Sequence, residues 1–244
     1  MVRAAHDRAG MQLSGWARDA WAELQRATEP LLAMLAPERC GGCGEEGALL
    51  CSACRDLLGA SESGEAICGA PPIGCITGAW IGPYESGLGE ILRSLKFHEL
   101  PRLAEPLGIA LGSATAEVNR RLGGGAALVP IPTDPARLRD RGFDHAALIA
   151  TSAARSTNTA LAPILERTRA VPALHALNRA ERRRVMDRVF RVRAGCEVPR
   201  RVILVDDIWT SGATFASAAA TLRAAGCLTI GVVAVARESL TRDA

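Results

Sequence analysis

The run ILVDDIWTSGATFASA, residues 203–218, joins an apolar segment to an alanine-rich segment through two adjacent acids. The apolar segment is typical of a strand that is buried on both faces of a parallel sheet. The alanine-rich segment favours a helix. A strand that leads directly into a helix is the repeating unit of α/β proteins, so this run predicts that fold class.

Segments of the same two kinds continue on both sides of this run. Apolar strands that alternate with helices predict a mostly parallel sheet covered on both faces. A further helical segment over residues 14–36, kinked or divided at Pro30, makes residues 1–36 an N-terminal helical segment. We predict strands over residues 79–84, 127–132, 162–169, 189–194, 200–207 and 228–236, and helices over residues 87–97, 102–118, 143–155 and 212–226.

The overall composition limits the kinds of partner that the protein can have. Of its 244 residues, 48% are hydrophobic, which is enough for a packed core, and the formal net charge of +3 is too small to indicate nucleic-acid or membrane binding. No stretch has the apolar length of a membrane span, and the charged N-terminus lacks the apolar core of a signal peptide. We therefore expect a cytoplasmic protein without membrane insertion.

Four of the eight cysteines form two pairs with metal-ligand spacing. Cys40 and Cys43 are separated by two residues, as are Cys51 and Cys54, and seven residues lie between the pairs. Two such turns can form a tetrahedral thiolate site for zinc, and four cysteine ligands leave no open position, so the site would be structural. Four unrelated buried cysteines, or a redox CxxC pair, are weaker alternatives because the spacing is regular and no thioredoxin-like context is present.

The cysteine pairs lie in a loop-rich region that could not fold around a hydrophobic core of its own. Zinc binding would replace that core, because metal affinity becomes folding free energy. We therefore predict a zinc-ribbon module over residues 37–78 and a second domain over residues 79–244. Cys68 and Cys75 are either remnants of another metal-binding turn or small core residues.

The acids at positions 206 and 207 precede a segment of small residues that suits a phosphate group. In parallel sheets, ligands bind beyond the carboxyl ends of the strands. Backbone amides at a helix N-terminus, together with Thr and Ser hydroxyls, bind phosphate, whereas carboxylates accept hydrogen bonds from sugar hydroxyls or hold a phosphate-bound magnesium ion. A sugar phosphate would satisfy both halves. The alternative, that Asp207 only caps a helix, would explain one acid and not two.

The segment VILVDDIWTSGAT resembles the signature with which type I phosphoribosyltransferases bind phosphoribosyl pyrophosphate (PRPP). The cysteine pairs and the segments ILRSLKF, LVPIPTDPARLRDRGFDHAALIA and LNRAERRRVMDRVF resemble, in order, segments of the ComF family of competence-associated proteins. The similarity spans roughly residues 31 to 237. It implies a type I phosphoribosyltransferase-like parallel-sheet core preceded by a small zinc-ribbon module.

The resemblance also implies roles for individual residues. Asp206 and Asp207 would contact ribose hydroxyls, and Mg²⁺ would accompany PRPP. The family reads Asn and Gln where this chain has Asp144 and His145. The 5′-phosphate would be held by Thr210, Ser211, Gly212, Ala213 and Thr214, the pyrophosphate would face Pro132 and Thr133, and Lys96, the only lysine of the chain, and Arg141 match family positions near the anionic ligand.

Two hypotheses for function follow. The first is a PRPP-binding phosphoribosyltransferase whose acceptor base the sequence does not reveal. The second is a non-catalytic adaptor in DNA uptake that binds competence proteins or single-stranded DNA. The Arg-rich segment of residues 179–193 is either a solvated face or a basic surface for pyrophosphate or a nucleic-acid backbone. Aromatic residues make up only 4% of the chain, which disfavours base stacking.

Overall fold

A five-stranded sheet forms the centre of the computed structural model, which describes residues 37–59, 67–97, 100–168 and 189–238. The strand order is β1-β2-β7-β6-β3; β1 is antiparallel to β2, and the other four strands are parallel. The strands are β1 (Ile67–Cys68), β2 (Thr77–Pro83), β3 (Ala127–Pro130), β6 (Arg201–Trp209) and β7 (Thr229–Arg237). The predicted α/β class with a mostly parallel sheet is confirmed.

Helices cover both faces of this sheet. Two short 3₁₀ turns, Tyr84–Ser86 and Pro101–Leu103, connect them to the rest of the chain. The described helices are α1 (Ser52–Gly59), α2 (Leu88–Phe97), α3 (Ala104–Ala110), α4 (Gly112–Arg121), α5 (Pro135–Arg141), α6 (His145–Thr157) and α7 (Ala213–Ala224).

The central strand β6 separates two buried clusters because its side chains alternate between the two faces. Ile203 and Val205 join the cluster under α2, α3, α4 and α6, whereas Val202 and Leu204 join the cluster under α7. Burial on both faces explains why the strand reads as a continuous apolar run. The second cluster also contains β4 (Leu165–Arg167) and β5 (Phe190–Val192), which pair in antiparallel orientation beside the main sheet.

The cysteine-rich module shares the core of the larger domain. Cys40 and Cys54 are buried in the same cluster as Ile91 and Leu103. A Cβ on Gly41 would lie 2.6 Å from Leu103 Cδ1, so the backbone approaches that side chain as closely as a glycine permits. The module therefore gains apolar contacts that its own short sequence could not supply.

The predicted elements agree with the described ones in type and order, with a few differences. The helix predicted over 102–118 is divided into α3 and α4, and β1, α1 and α5 were not predicted. Strand β6 continues to Trp209, beyond the acids at which it was predicted to end, because it pairs with β7 as far as Arg237. The sheet also includes residues 67–68 and 77–78 of the predicted zinc-ribbon module. The predicted helix over 14–36 and the Arg-rich segment up to residue 188 lie outside the described residues.

Candidate functional site

A small cavity lies where strand β3 ends beside strand β6, which continues past it. Pro130 at the end of β3 is paired with Val205, so the acids of β6 extend past the end of its neighbour. The cavity has a volume of about 170 Å³. Its lining consists of Lys96, Ile131, Pro132, Thr133, Asp134, Arg137, Arg141, His145, Arg167, Asp206, Asp207 and Thr214.

The structure brings most of the predicted site residues to this cavity. Both acids, the loop after β3, Lys96 and Arg141 line it, and Thr214 reaches it from the first turn of α7. Thr210, Ser211, Gly212 and Ala213 form the turn between β6 and α7 and do not line the cavity. Gly212 is the N-cap of α7 at φ +78, a conformation that favours glycine.

Asp207 is a buried acid with two partners. Its Oδ2 is in contact with Lys96 Nζ, and its Oδ1 lies 3.4 Å from His145 Nε2. Burial alone would raise the pKa of Asp207, but the hydrogen bond from His145 and the positive charge of Lys96 outweigh it, so the pKa lies well below its usual range. Asp207 is therefore ionised.

The pKa of Asp206 is shifted in the opposite direction. Burial raises its pKa well above the usual range, and the adjacent charge of Asp207 raises it further. Its Oδ1 accepts a hydrogen bond from the backbone N–H of Asp207 at 2.9 Å. The pKa values of the two neighbouring acids are thus shifted in opposite directions, because the ion pair with Lys96 and the hydrogen bond from His145 outweigh the burial of Asp207, whereas a backbone N–H donor and the more distant charge of Lys96 do not outweigh the burial of Asp206.

The contacts of His145 define its tautomer. Arg141 Nη1 lies 2.6 Å from His145 Nδ1. A guanidinium can only donate, so Nδ1 must be the acceptor and the ring proton of the neutral imidazole lies on Nε2. That proton faces Asp207, and His145 therefore links the guanidinium of α5 to the acid of β6.

Asp144 fixes the loop after β3 against the start of α6. Its Oδ2 accepts from the backbone N–H of Thr133 at 3.1 Å, and its Oδ1 accepts from the Thr133 hydroxyl at 3.1 Å and from the N–H of Ala147 at 3.1 Å. The last contact makes Asp144 the N-cap of α6. Sequence reasoning noted Asp144 and His145 only as departures from a family pattern, and the helix predicted over 143–155 placed Asp144 inside the helix instead of at its N-cap.

The cavity wall supplied by α5 carries two guanidinium groups, those of Arg137 and Arg141. Within the described ranges, neither Arg137 nor Arg141 forms an ion pair, and Arg141 Nε is buried without a hydrogen-bond partner. Burial lowers the pKa of Arg141. Arg167 Nη1, in contrast, lies 3.7 Å from Asp134. An anion in the cavity would meet two unpaired guanidinium groups.

A second cavity shares part of this basic wall. It has a volume of about 480 Å³ and lies between α2 and α5. Lys96, Arg137 and Arg141 line both cavities. The remaining lining residues of the second cavity are Tyr84, Leu92, Arg93, Phe97, Asp140 and Ile208.

The four predicted zinc ligands also converge. One Sγ atom from each of Cys40, Cys43, Cys51 and Cys54 lies within 4.8 Å of the others, and Cys43 Sγ lies 3.6 Å from Cys51 Sγ. Tetrahedral Zn–S bonds of about 2.3 Å require S···S distances of roughly 3.8 Å, so the cluster could hold a structural zinc ion. A Cβ on Gly42 would lie 2.5 Å from Cys54 Sγ, which shows how tightly the turn encloses the cluster.

Backbone amides favour the thiolate form of one member of this cluster, Cys40. Burial tends to raise the pKa of the Cys40 thiol, but hydrogen bonds from the backbone N–H groups of Cys43, Cys51 and Gly42 outweigh it and lower the pKa to about 6. A thiolate is the form that binds metal. All eight cysteines of the chain are free thiols, and Cys68 and Cys75 do not belong to the cluster.

No helix of the described ranges has the length and apolar character needed to cross a membrane. Among protein-family models and curated proteins, none matches this sequence.

Proposed function

We propose that this protein is a ComF-type, PRPP-binding phosphoribosyltransferase. The observation that carries the proposal is the convergence of three kinds of group on one cavity: the acids of β6, the loop after β3 and the first turn of α7. A sugar that carries an anion at each end requires this combination, because hydroxyls need acceptors and phosphates need donors and positive charge.

Each part of the ligand has a chemically suitable partner. The segment of Thr210 to Thr214 would hold the 5′-phosphate, since it leads into the N-terminus of α7 at Gly212, where helix N–H groups favour an anion and the Thr and Ser hydroxyls add donors. Asp207, which is ionised, and Asp206 would accept hydrogen bonds from the ribose hydroxyls. Pro132 and Thr133 would face the pyrophosphate, and Lys96 and Arg141 would contribute positive charge to it.

The proposed reaction needs little acid–base chemistry from the protein. The ribose C1–O bond to pyrophosphate breaks as a bond from C1 to a ring nitrogen of the acceptor forms, and pyrophosphate leaves with the electron pair. The unpaired guanidinium groups of Arg137 and Arg141 would stabilise the charge that develops on the leaving group.

Magnesium would reach the site together with the ligand. The ionised carboxylate of Asp207 is an oxygen ligand of the type that Mg²⁺ prefers, although Lys96 already compensates its charge, and Asp206 would supply a further carboxyl oxygen. Mg²⁺ is usually bound by one or two protein carboxylates together with the phosphates of the substrate. When bound, the ion would neutralise charge on the pyrophosphate. The reduced thiols of the proposed zinc site suit a cytoplasmic protein.

Isothermal titration of the full chain with PRPP and Mg²⁺ tests the proposal. We expect saturable binding to the wild type and a loss of at least about tenfold in affinity for the double variant Asp206→Asn/Asp207→Asn, because the ribose hydroxyls lose the charged acceptor of Asp207 and the carboxyl group of Asp206. Glu117→Gln on the outer face of α4 removes an acid outside both cavities and should leave the affinity unchanged. An absence of heat for the wild type would contradict the proposal.

Release of pyrophosphate separates a catalyst from an adaptor. The wild type with PRPP, Mg²⁺ and a panel of nitrogenous bases should release pyrophosphate with at least one of them. Binding of PRPP without release across the panel, together with retention of single-stranded DNA, would instead favour an adaptor in DNA uptake.

A further inference from the structure

We propose that the cavity between α2 and α5 binds the acceptor of the reaction, and that this acceptor is a planar aromatic ring carrying an acidic group. The role of this ligand as the acceptor rests on the proposed function. Its chemical class follows from the cavity itself. With a volume of about 480 Å³ the cavity has room for a single- or double-ring compound. Its shared wall with the smaller cavity would bring a bound ring next to the sugar.

Aromatic side chains lie on the walls of this cavity. Tyr84, the only tyrosine of the chain, and Phe97 both line it. The ring of Phe97 is 71% exposed although it is large and apolar, so it contributes little to the core. The ring of Tyr84 packs on α2, and a Cβ on Gly89 would lie 3.0 Å from Tyr84 Cε1. A flat ligand between α2 and α5 would cover apolar ring surface that water now contacts.

The charges around the cavity favour an anion. Four cationic residues line it, Arg93, Lys96, Arg137 and Arg141, against the single acid Asp140. Lys96 is paired with Asp207 and Arg93 with Glu90, whereas Arg137 and Arg141 have no acid partner in the described part of the chain. An acidic group on the ligand would compensate these guanidinium groups through charge-assisted hydrogen bonds.

Guanidinium groups lie against the aromatic rings that line this cavity. The Arg93 guanidinium carbon lies 5.8 Å from the centroid of the Tyr84 ring, and that of Arg141 lies 5.8 Å from the centroid of Phe97. A small inorganic anion would use only the cations, and a neutral ring would use only the aromatic surface. An aromatic acid uses both, which is why the cavity favours that class of ligand.

Binding of matched probes to the full chain tests this inference. Pyridine-3-carboxylate and pyridine-3-carboxamide share a ring and differ in charge; acetate and inorganic phosphate carry charge without a ring. We expect the carboxylate to bind at least about fivefold more tightly than the other three probes, in titrations with and without PRPP and Mg²⁺. Equal binding of the carboxamide, binding of acetate or phosphate as tight as that of the aromatic acid, or no binding of the carboxylate would overturn the inference.

Variants at residues that line only this cavity assign the binding to it. Phe97→Leu should weaken both pyridine probes by about three- to tenfold. Arg93→Gln should weaken only the carboxylate, by about two- to fivefold, and Asp140→Asn should strengthen only the carboxylate. Arg155→Gln, an exposed residue of α6 outside both cavities, is the control and should change nothing. A set of variants that leaves carboxylate binding unaltered would place the ligand elsewhere and contradict the inference.

The two proposals fail in different ways. If the wild type binds PRPP but no aromatic acid, only the acceptor inference is wrong. If it binds the aromatic acid in the predicted manner but not PRPP, the cavity chemistry stands and the proposed function is wrong. PRPP affinity should be unchanged in Arg155→Gln, because Arg155 lies outside both cavities.

Discussion

Lys96 and Asp207 form an ion pair that joins the last turn of α2 to the end of β6. The side chains are only 18% and 7% exposed. Lys96 is the only lysine in the chain, and Asp207 is the acid whose ionised form the site stabilises. A buried charge that loses its partner is strongly destabilising, because the remaining charge is neither hydrated nor neutralised.

Lys96→Met should therefore lower the free energy of unfolding by about 3 kcal/mol. Urea unfolding at pH 7 measures this change. Arg191→Met is the matched control, since it breaks the exposed Arg191–Glu166 pair and should cost less than about 1 kcal/mol. Equal costs for the two variants would show that the Lys96 pair behaves as a surface pair.

Asp206→Asn should stabilise the protein at neutral pH. The raised pKa of Asp206 means that the folded state retains this proton more strongly than the unfolded chain does. Above a pH of about 3.9, Asp206 ionises in the unfolded chain but keeps its proton in the folded state, and this difference favours unfolding. The resulting decrease in the free energy of unfolding grows with pH until the pH passes the raised pKa of the folded state. Asparagine does not ionise, so it has no pH-dependent effect of this kind on stability. Its carbonyl oxygen can still accept the hydrogen bond from the backbone N–H of Asp207.

The pH profile of unfolding distinguishes this effect from a change in packing. Relative to the wild type, Asp206→Asn should be more stable at pH 7 and differ little at pH 4, because the unfolded chain ionises Asp206 only above its pKa of about 3.9. Urea unfolding between pH 4 and 8 measures the difference, with exposed Asp140→Asn as the control whose difference stays flat. A gain for Asp206→Asn that does not depend on pH would contradict the explanation.

The sequence predicted the sheet well because its strands are buried on both faces. Val202 to Val205 form a run that no amphipathic helix would contain, and the alternation of such runs with helices determined the fold class. The cysteine spacing likewise predicted that Cys40 and Cys54 would meet. These features are local in sequence, so they can be recognised without knowledge of the tertiary structure.

The details of the site could not be predicted in the same way, because they depend on contacts between distant segments. Nothing in the sequence near Asp207 indicates that Lys96 and His145 lie against it or that Asp206 and Asp207 differ in protonation. The hydrogen bonds between Asp144 and Thr133 depend on how the loop after β3 folds back. The split of the predicted helix over 102–118 into α3 and α4 also had no clear local signal.

Asp144→Asn should destabilise the protein although asparagine is the residue of the family pattern. The Asp144 carboxylate accepts three hydrogen bonds, and each of its oxygens is used. Asparagine has one acceptor oxygen, so its NH₂ group would oppose a donor from Thr133 or Ala147. We expect a loss of about 1–3 kcal/mol in the free energy of unfolding, measured in urea. Asp140→Asn is again the control, and a similar small effect of both variants would contradict the prediction.

Cys54→Ser should remove bound zinc and destabilise the larger domain as well as the cysteine module. Cys54 lies on α1, is buried in the cluster that contains Ile91 and Leu103, and is one of the four convergent thiols. Loss of the metal would remove the contribution of metal binding to the free energy of unfolding. A decrease of about 3 kcal/mol in that free energy corresponds to a fall of roughly 10 °C in Tm for a domain of this size. Metal analysis and thermal unfolding check both effects.

Cys196→Ser is the matched control for this experiment because Cys196 is exposed and lies outside the cluster. It should retain the zinc content and the Tm of the wild type. Zinc bound equally by wild type and Cys54→Ser would show that the metal lies elsewhere, and a wild type without zinc would show that the four thiols do not form a metal site. A loss of zinc in Cys54→Ser without a change in Tm would show that the module folds independently of the core that it shares with α2.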